Sequence, residues 1–150
     1  MTTNARGVYV CLREALQRMV LTDRGGSIVC TTSCVVGAAV PGAGTAYHAS
    51  KGAVDAMVRS IAVDYGPRGI RCNALSPGAT ETELMWASVP FDDIPAARAA
   101  VGGSIPLRRL AEPDEVARAA VWLLPDDSAY LNGATLAVDG GVNAQSIPPA

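Results

Sequence analysis

Two side chains four residues apart, Tyr47 and Lys51, are the clearest chemistry in this 150-residue chain. On a helix that spacing puts both on one face, about 5–6 Å apart at Cβ. A phenol has a reference pKa near 10 and holds its proton in neutral water. An ammonium about 5 Å away, at an effective dielectric of about 20, favours phenolate by roughly 3 kcal/mol, or about two pK units. Such a pair can serve as a general acid/base near neutral pH. Alone, Y-x-x-x-K is a weak signal that equally describes a surface neighbour pair. Its company sharpens it: Ser33, fourteen residues earlier at the end of a β-prone run, and Asn4 on an N-terminal helix.

The elements that must position these groups follow from hydrophobic spacing. Val8, Leu12, Leu16 and Val20 recur four apart with Arg13, Glu14, Gln17 and Arg18 between them, which predicts an amphipathic helix over 5–20. Gly25-Gly26 is a turn, and Ser27–Thr32 reads as a buried strand around Ile28 and Val29. A Gly/Ala-rich loop, 34–45, leads to a helix from Ala46 to Tyr65 that Gly66-Pro67 stops. Ile70–Leu75 is a second strand, ended by Ser76-Pro77-Gly78, and 79–110 reads as irregular with a short helix near 92–101. Pro113 opens a helix through Leu124 that buries Val116, Ala120, Leu123 and Leu124. Thr135–Val138 is a third strand closed by Asp139-Gly140-Gly141, and the tail with Pro148 and Pro149 reads as loose.

Strands alternating with helices imply parallel crossovers in an open α/β sheet. Ligands bind beyond the carboxyl ends of such strands. Ser33 and Pro77-Gly78 both fall at that crevice.

Composition narrows the function classes. The chain is 49% hydrophobic and 17% charged with net charge −2, which fits one folded domain and gives no electrostatic footprint for nucleic acid or an anionic membrane. Arg6, Arg13 and Glu14 break any signal-peptide core, and no apolar run approaches the roughly 18 residues of a spanning helix. Cys11, Cys30, Cys34 and Cys72 form no C-x-x-C, and with His48 the only histidine there is no metal-ligand set. All four cysteines read as small buried hydrophobes in a reducing cytoplasm.

Other constellations carry less. Ser33 with His48 lacks the G-x-S-x-G elbow of a hydrolase, and His48 reads as a pocket-wall residue. Gly42-x-Gly44 follows no strand and lacks a third glycine, so it reads as loop flexibility rather than a phosphate cradle.

The string from Gly26 to Lys51, GSIVCTTSCVVGAAVPGAGTAYHASK, resembles the catalytic core of the short-chain dehydrogenase/reductase family. Further stretches resemble the family in order: Ile70-Arg71-Cys72-Asn73, Pro77-Gly78-Ala79-Thr80-Glu81-Thr82, IPLRRLAEPDEVA over 105–117, and Asn132-Gly133 through VDGG over 138–141. Asn4-Ala5-Arg6-Gly7 is similar to the family helix that carries its fourth catalytic residue, and the likeness runs from about residue 1 to 143. It implies a partial Rossmann-like, doubly wound parallel sheet of about three strands with flanking helices: one domain over 1–150, the C-terminal part of the family fold, with a substrate lid at about 80–110. Met85, Trp86 and Phe91 fall in that lid, as an apolar substrate wall or as its own packing.

The resemblance also implies roles. Tyr47 would pass a proton to or from the oxygen of a small carbonyl or alcohol. Lys51 would ease that transfer and bind the nicotinamide ribose. Ser33 would orient the reacting carbonyl, and Asn4 would hold a water in the proton relay; the alternative for Asn4 is a helix N-cap. Tyr47, Lys51, Pro77, Gly78, Thr80 and Thr82 would face NAD or NADP. Many family members have one residue fewer between serine and tyrosine, a count that lands on Cys34, whose thiol is the weaker donor.

The resemblance implies a homodimer or homotetramer, paired through the helices at 5–20 and 46–65, and a cytoplasmic setting. No glycine-rich pyrophosphate turn is found, and Met1-Thr2-Thr3-Asn4 reads as the middle of a family sequence. The expectation is a chain whose strand at 27–32 has an open apolar edge, which self-associates or is unstable, and which binds NAD(P) weakly. The competing expectation is a catalytically silent remnant acting through oligomer association alone.

Overall fold

The structure is a computed structural model that describes residues 1–40, 42–87 and 93–145. Phe91 of the expected lid and the tail carrying Pro148 and Pro149 lie outside the described residues. The secondary elements are α1 (Val8–Thr22), β1 (Gly26–Thr31), α2 (Thr45–Tyr65), β2 (Ile70–Pro77), α3 (Glu83–Ala87), α4 (Ile94–Ser104), α5 (Pro113–Leu123) and β3 (Thr135–Val138). A wide π-helical segment, Thr2–Gly7, runs into α1, with Arg6 N–H reaching back to Met1 O.

Among the described residues the strands form one parallel sheet in the order β1-β2-β3, the expected α/β architecture. Strand side chains alternate between faces. Ile28, Cys30, Ile70, Cys72 and Ala74 therefore share one face, where Leu12 and Leu16 of α1 and Val54, Val58 and Ile61 of α2 cover them. Each such fully buried aliphatic side chain contributes about 1.5–3 kcal/mol. The other face meets α5: Ser27 Oγ donates to Leu123 O at 3.2 Å, and Leu123 is fully buried. Helices on both faces make the sheet doubly wound.

Polar side chains fix the crossings. The Arg71 guanidinium spans the carbonyls of Leu123, Leu124, Pro125, Ser128 and Leu131, so one cation satisfies the bare C-terminal end of α5. Asn73, wholly buried, donates to Leu131 O and accepts from Ala134 N–H, bridging β2 to the loop before β3. Asp55 on α2 accepts from Thr135 on β3 at 2.5 Å and pairs with Arg59.

Four sequence expectations change. The stretch 79–110 holds the expected short helix as α4, opened by Asp93 accepting from Ala96 N–H with a proline in its first turn, but also α3, where the sequence reads as irregular. β2 runs two residues past Leu75, because Ser76 and Pro77 still pair with Ala137 and Val138. Leu124 is exposed rather than buried, since α5 stops at Leu123 and the chain turns away. Cys11 is exposed while Cys30, Cys34 and Cys72 are buried; it sits one residue off the stripe that α1 turns to the core. Among the described residues no helix is long and apolar enough to cross a membrane.

Candidate active site

Tyr47 lies in the first turn of α2, where its N–H and that of His48 both reach the Gly44 carbonyl. Lys51, one turn on, places Nζ 5.8 Å from the centre of the Tyr47 ring. The same ammonium donates to the Thr31 carbonyl, at the C-terminal end of β1, across 3.0 Å. Burial lowers the Lys51 pKa from its ordinary value. Lys51 has three donors and spends one on Thr31, so two remain for a ligand. Tyr47 is about one-third exposed.

Asn4 is not an N-cap. The helical segment begins before it, at Thr2, and its amide reaches Ser50 Oγ on α2 at 3.5 Å. Ser50 in turn donates to the Tyr47 carbonyl at 2.8 Å and is almost fully buried. Residues 47, 50, 51 and 54 share one helical face, so Asn4 touches the face that carries Tyr47 and Lys51. Sequence reasoning misses Ser50, although its i+3 offset from Tyr47 is a usable signal.

Ser33 follows β1 in extended conformation and caps a short 3₁₀ turn, Cys34–Val36, with Oγ accepting from Val35 N–H at 3.5 Å. That turn packs against α2. Ser33 and Cys34 are neighbours in sequence, and both are buried. Burial, opposed in part by the Ser33 side chain and reinforced by Asp139, pushes the Cys34 thiol pKa up and keeps it protonated. The alternative raised by the serine-to-tyrosine interval therefore stands as two adjacent side chains.

Pro77 and Gly78 end β2 beside this cluster. A Cβ on Gly78 would stand 2.7 Å from Asp139 Cα, so only glycine lets the end of β2 lie against the end of β3. Asp139 accepts from the N–H groups of Gly141 and Asn143, both at 2.9 Å, and holds that loop. Thr80 Oγ1 donates to Gly78 O, and Thr82 Oγ1 accepts from Met85 N–H at 3.2 Å, which leaves the Thr82 hydroxyl hydrogen free to donate. Beyond Thr80, Glu81 accepts from Trp86 Nε1 at 2.6 Å and takes a two-point ion pair from Arg98 on α4. The Arg98 bonds, then the Trp86 bond, hold the Glu81 carboxyl below its ordinary pKa.

His48 joins the glycine loop to α2. Both His48 ring nitrogens bond the loop backbone, at Val40 N and Gly44 O. Gly42 and Gly44 take φ of 80° and 78°, left-handed conformations that glycine adopts without strain.

Comparison with known proteins places this geometry. A family model described as enoyl-(acyl carrier protein) reductase matches residues 1–143. The A-factor type gamma-butyrolactone 1'-reductase (1S-forming) of Streptomyces virginiae is 41% identical over 143 residues, which cover 94% of this chain and 54% of that protein. A gluconate 5-dehydrogenase from Burkholderia cenocepacia J2315, solved in complex with NADP and tartrate, superposes with a TM-score of 0.84 at 32% identity, over 95% of this chain and 54% of its own. A 4-hydroxyisoleucine dehydrogenase complexed with NADH and succinate gives 0.83 at 26% identity, over 95% and 56%. The chain spans about half the length of the relatives it matches.

Proposed function

This chain belongs to the short-chain dehydrogenase/reductase family, and on that premise we propose that it carries the proton-transfer centre of an oxidoreductase acting on a small carbonyl or alcohol with NAD or NADP. Tyr47 gives its hydroxyl proton to the carbonyl oxygen in reduction and takes it from the alcohol in oxidation. Lys51 sets its positive charge beside the Tyr47 ring during that transfer. Ser33 donates to the reacting oxygen and holds it toward Tyr47; it is preferred to Cys34 because a hydroxyl is the stronger donor. Asn4, bonded to Ser50, holds a water through which Tyr47 regains its proton.

The donor set suits the nicotinamide–ribose end of a dinucleotide. Lys51 offers two unused N–H groups to sugar hydroxyls, and Thr82 offers a hydroxyl hydrogen from the start of the lid. Pro77, Gly78 and Thr80 line the same end of the sheet. When bound, the dinucleotide supplies or accepts the hydride. The protein's part is to position the oxygen and move the proton.

One observation carries the reading: the Lys51 ammonium stands 5.8 Å from the Tyr47 ring at the carboxyl end of a parallel sheet. The test is consumption of NADH and NADPH with a panel of ketones and aldehydes. Tyr47→Phe should cost at least about 10²-fold in turnover with the circular dichroism spectrum retained. Turnover unchanged in Tyr47→Phe would refute the assignment.

A second reading, a silent chain acting through association, draws support from β1, whose only partner among the described strands is β2. Exposed Tyr9 and Val10 on α1 and Val63 on α2 support pairing of these helices in a homodimer or homotetramer, and the proposal places the protein in the cytoplasm.

A further inference from the structure

We propose that His48 is a positioning residue for Tyr47: its imidazole fastens Val40 and Gly44 of the preceding loop to the first turn of α2. The inference rests on the reading of Tyr47 as the proton donor. Val40 N–H donates to His48 Nε2 at 3.2 Å, and Nδ1 lies 2.9 Å from the Gly44 carbonyl oxygen. An N–H cannot accept and a carbonyl cannot donate, so Nε2 must be bare and Nδ1 must carry the hydrogen. One protonation state satisfies both contacts. A proton added at Nε2 would set two donors face to face and break the Val40 bond.

What this tie holds matters because of where the loop runs. One end is the turn that carries Ser33 and Cys34; the other is Gly44, whose carbonyl accepts from the backbone N–H groups of Tyr47 and His48 as well as from the ring. A Cβ built on Gly42 or Gly44 meets nothing within 4 Å. The imidazole thus fixes the spacing between the serine turn and the tyrosine turn. The sequence from Gly37 to Gly44 contains no ionisable side chain.

The test needs no cofactor. Long-range nitrogen–proton correlation spectra of the intact chain should show His48 as the Nδ1–H tautomer at about pH 8. His48→Ala should lose protection of the Val40 amide by roughly 2- to 10-fold, the equivalent of one net hydrogen bond. His48→Gln sets an amide oxygen near the position of Nε2 and should restore that protection. An Nε2–H tautomer, or Val40 exchange indifferent to both variants, would overturn the tie. The positioning role has its own readout: His48→Ala should lower kcat by about 2- to 10-fold with KM little changed, and His48→Gln should restore it. A kcat equal in His48→Ala and wild type would overturn that role. A Tyr47→Phe variant as active as the wild type would instead point to failure of the underlying functional reading, with the Val40 measurements unaffected.

Discussion

The Lys51 ammonium donates to the backbone carbonyl of Thr31 across 3.0 Å. In β1 the N–H groups of Gly26 and of Thr32, just past its end, reach Gly69 and Leu75, so even-numbered residues direct their backbone toward β2. Ser27, Val29 and Thr31 therefore turn theirs to the outer edge. Lys51 caps the last carbonyl of that edge while one helical turn from Tyr47. The amine that serves the proposed chemistry and the group that blunts an open strand are the same atom.

Among the described residues no strand pairs with that edge, and three outward residues are a template for another strand. A two-fold axis through Val29 would pair it with its own copy and set Ser27 against Thr31 of the partner subunit. Self-association is expected in sedimentation velocity. Val29→Pro should weaken it by about tenfold, because two edge N–H donors per dimer vanish and no bond to β2 is lost. Association equal in Val29→Pro and wild type would show that β1 is not the surface used.

Ser33 and Cys34 can be separated by exchange. Ser33→Ala should lower turnover by about 10²-fold, the usual effect of deleting a donor to a developing oxyanion. Cys34→Ser should change it little. The reverse, a silent Ser33→Ala and a gain in Cys34→Ser, would move the role to position 34 and make the natural thiol a handicap.

Arg71 tests the frame rather than the chemistry. Its guanidinium meets five carbonyls between Leu123 and Leu131. Arg71→Ala should cost about 2–4 kcal/mol in urea unfolding, and Arg71→Lys should recover only part, since a point charge cannot span the same fork. An unfolding midpoint unchanged in Arg71→Ala would show that the α5 terminus is satisfied by solvent.

Local pattern makes much of this fold legible in the sequence. The periodic valines of α2 and the stop at Gly66 put the predicted helix within one residue of its observed start, and the Tyr47–Lys51 pair follows from i,i+4 spacing. The spacing also predicts α4 within a few residues, but not α3. The cap at Asp93 is a local signal that can place the start of α4, whereas the Glu81–Arg98 pair joins residues 17 apart. The site's backbone partners are beyond the reach of sequence. Thr31 O for Lys51 and Gly44 O for His48 carry no side-chain signature, and Asn4 meets Ser50 only because the fold closes a gap of 46 residues. Cys11 shows the limit of residue type: its chemistry suggests burial, but its phase on α1 decides otherwise.

The Glu112–Glu115 turn gives a pH test of the other end of the site's frame. Glu115 is held to about 2, first by the Arg109 guanidinium, which it meets at two points of 2.6 and 2.7 Å, and then by the Glu112 backbone N–H. A carboxylate whose folded pKa lies below its unfolded one stabilises the fold above the unfolded pKa, and that stabilisation is lost as pH falls through the folded value. Here the window runs from about 4.5 down to about 2. Glu115→Gln removes the charge at all pH. The variant should therefore melt a few degrees below wild type at neutral pH, and the gap should close as the pH is lowered through that window. Exposure of the pair to solvent keeps the effect modest, so added salt should shrink it too. A gap that persists at about pH 2 would mean that the loss comes from the capping geometry of Glu115 rather than from its charge.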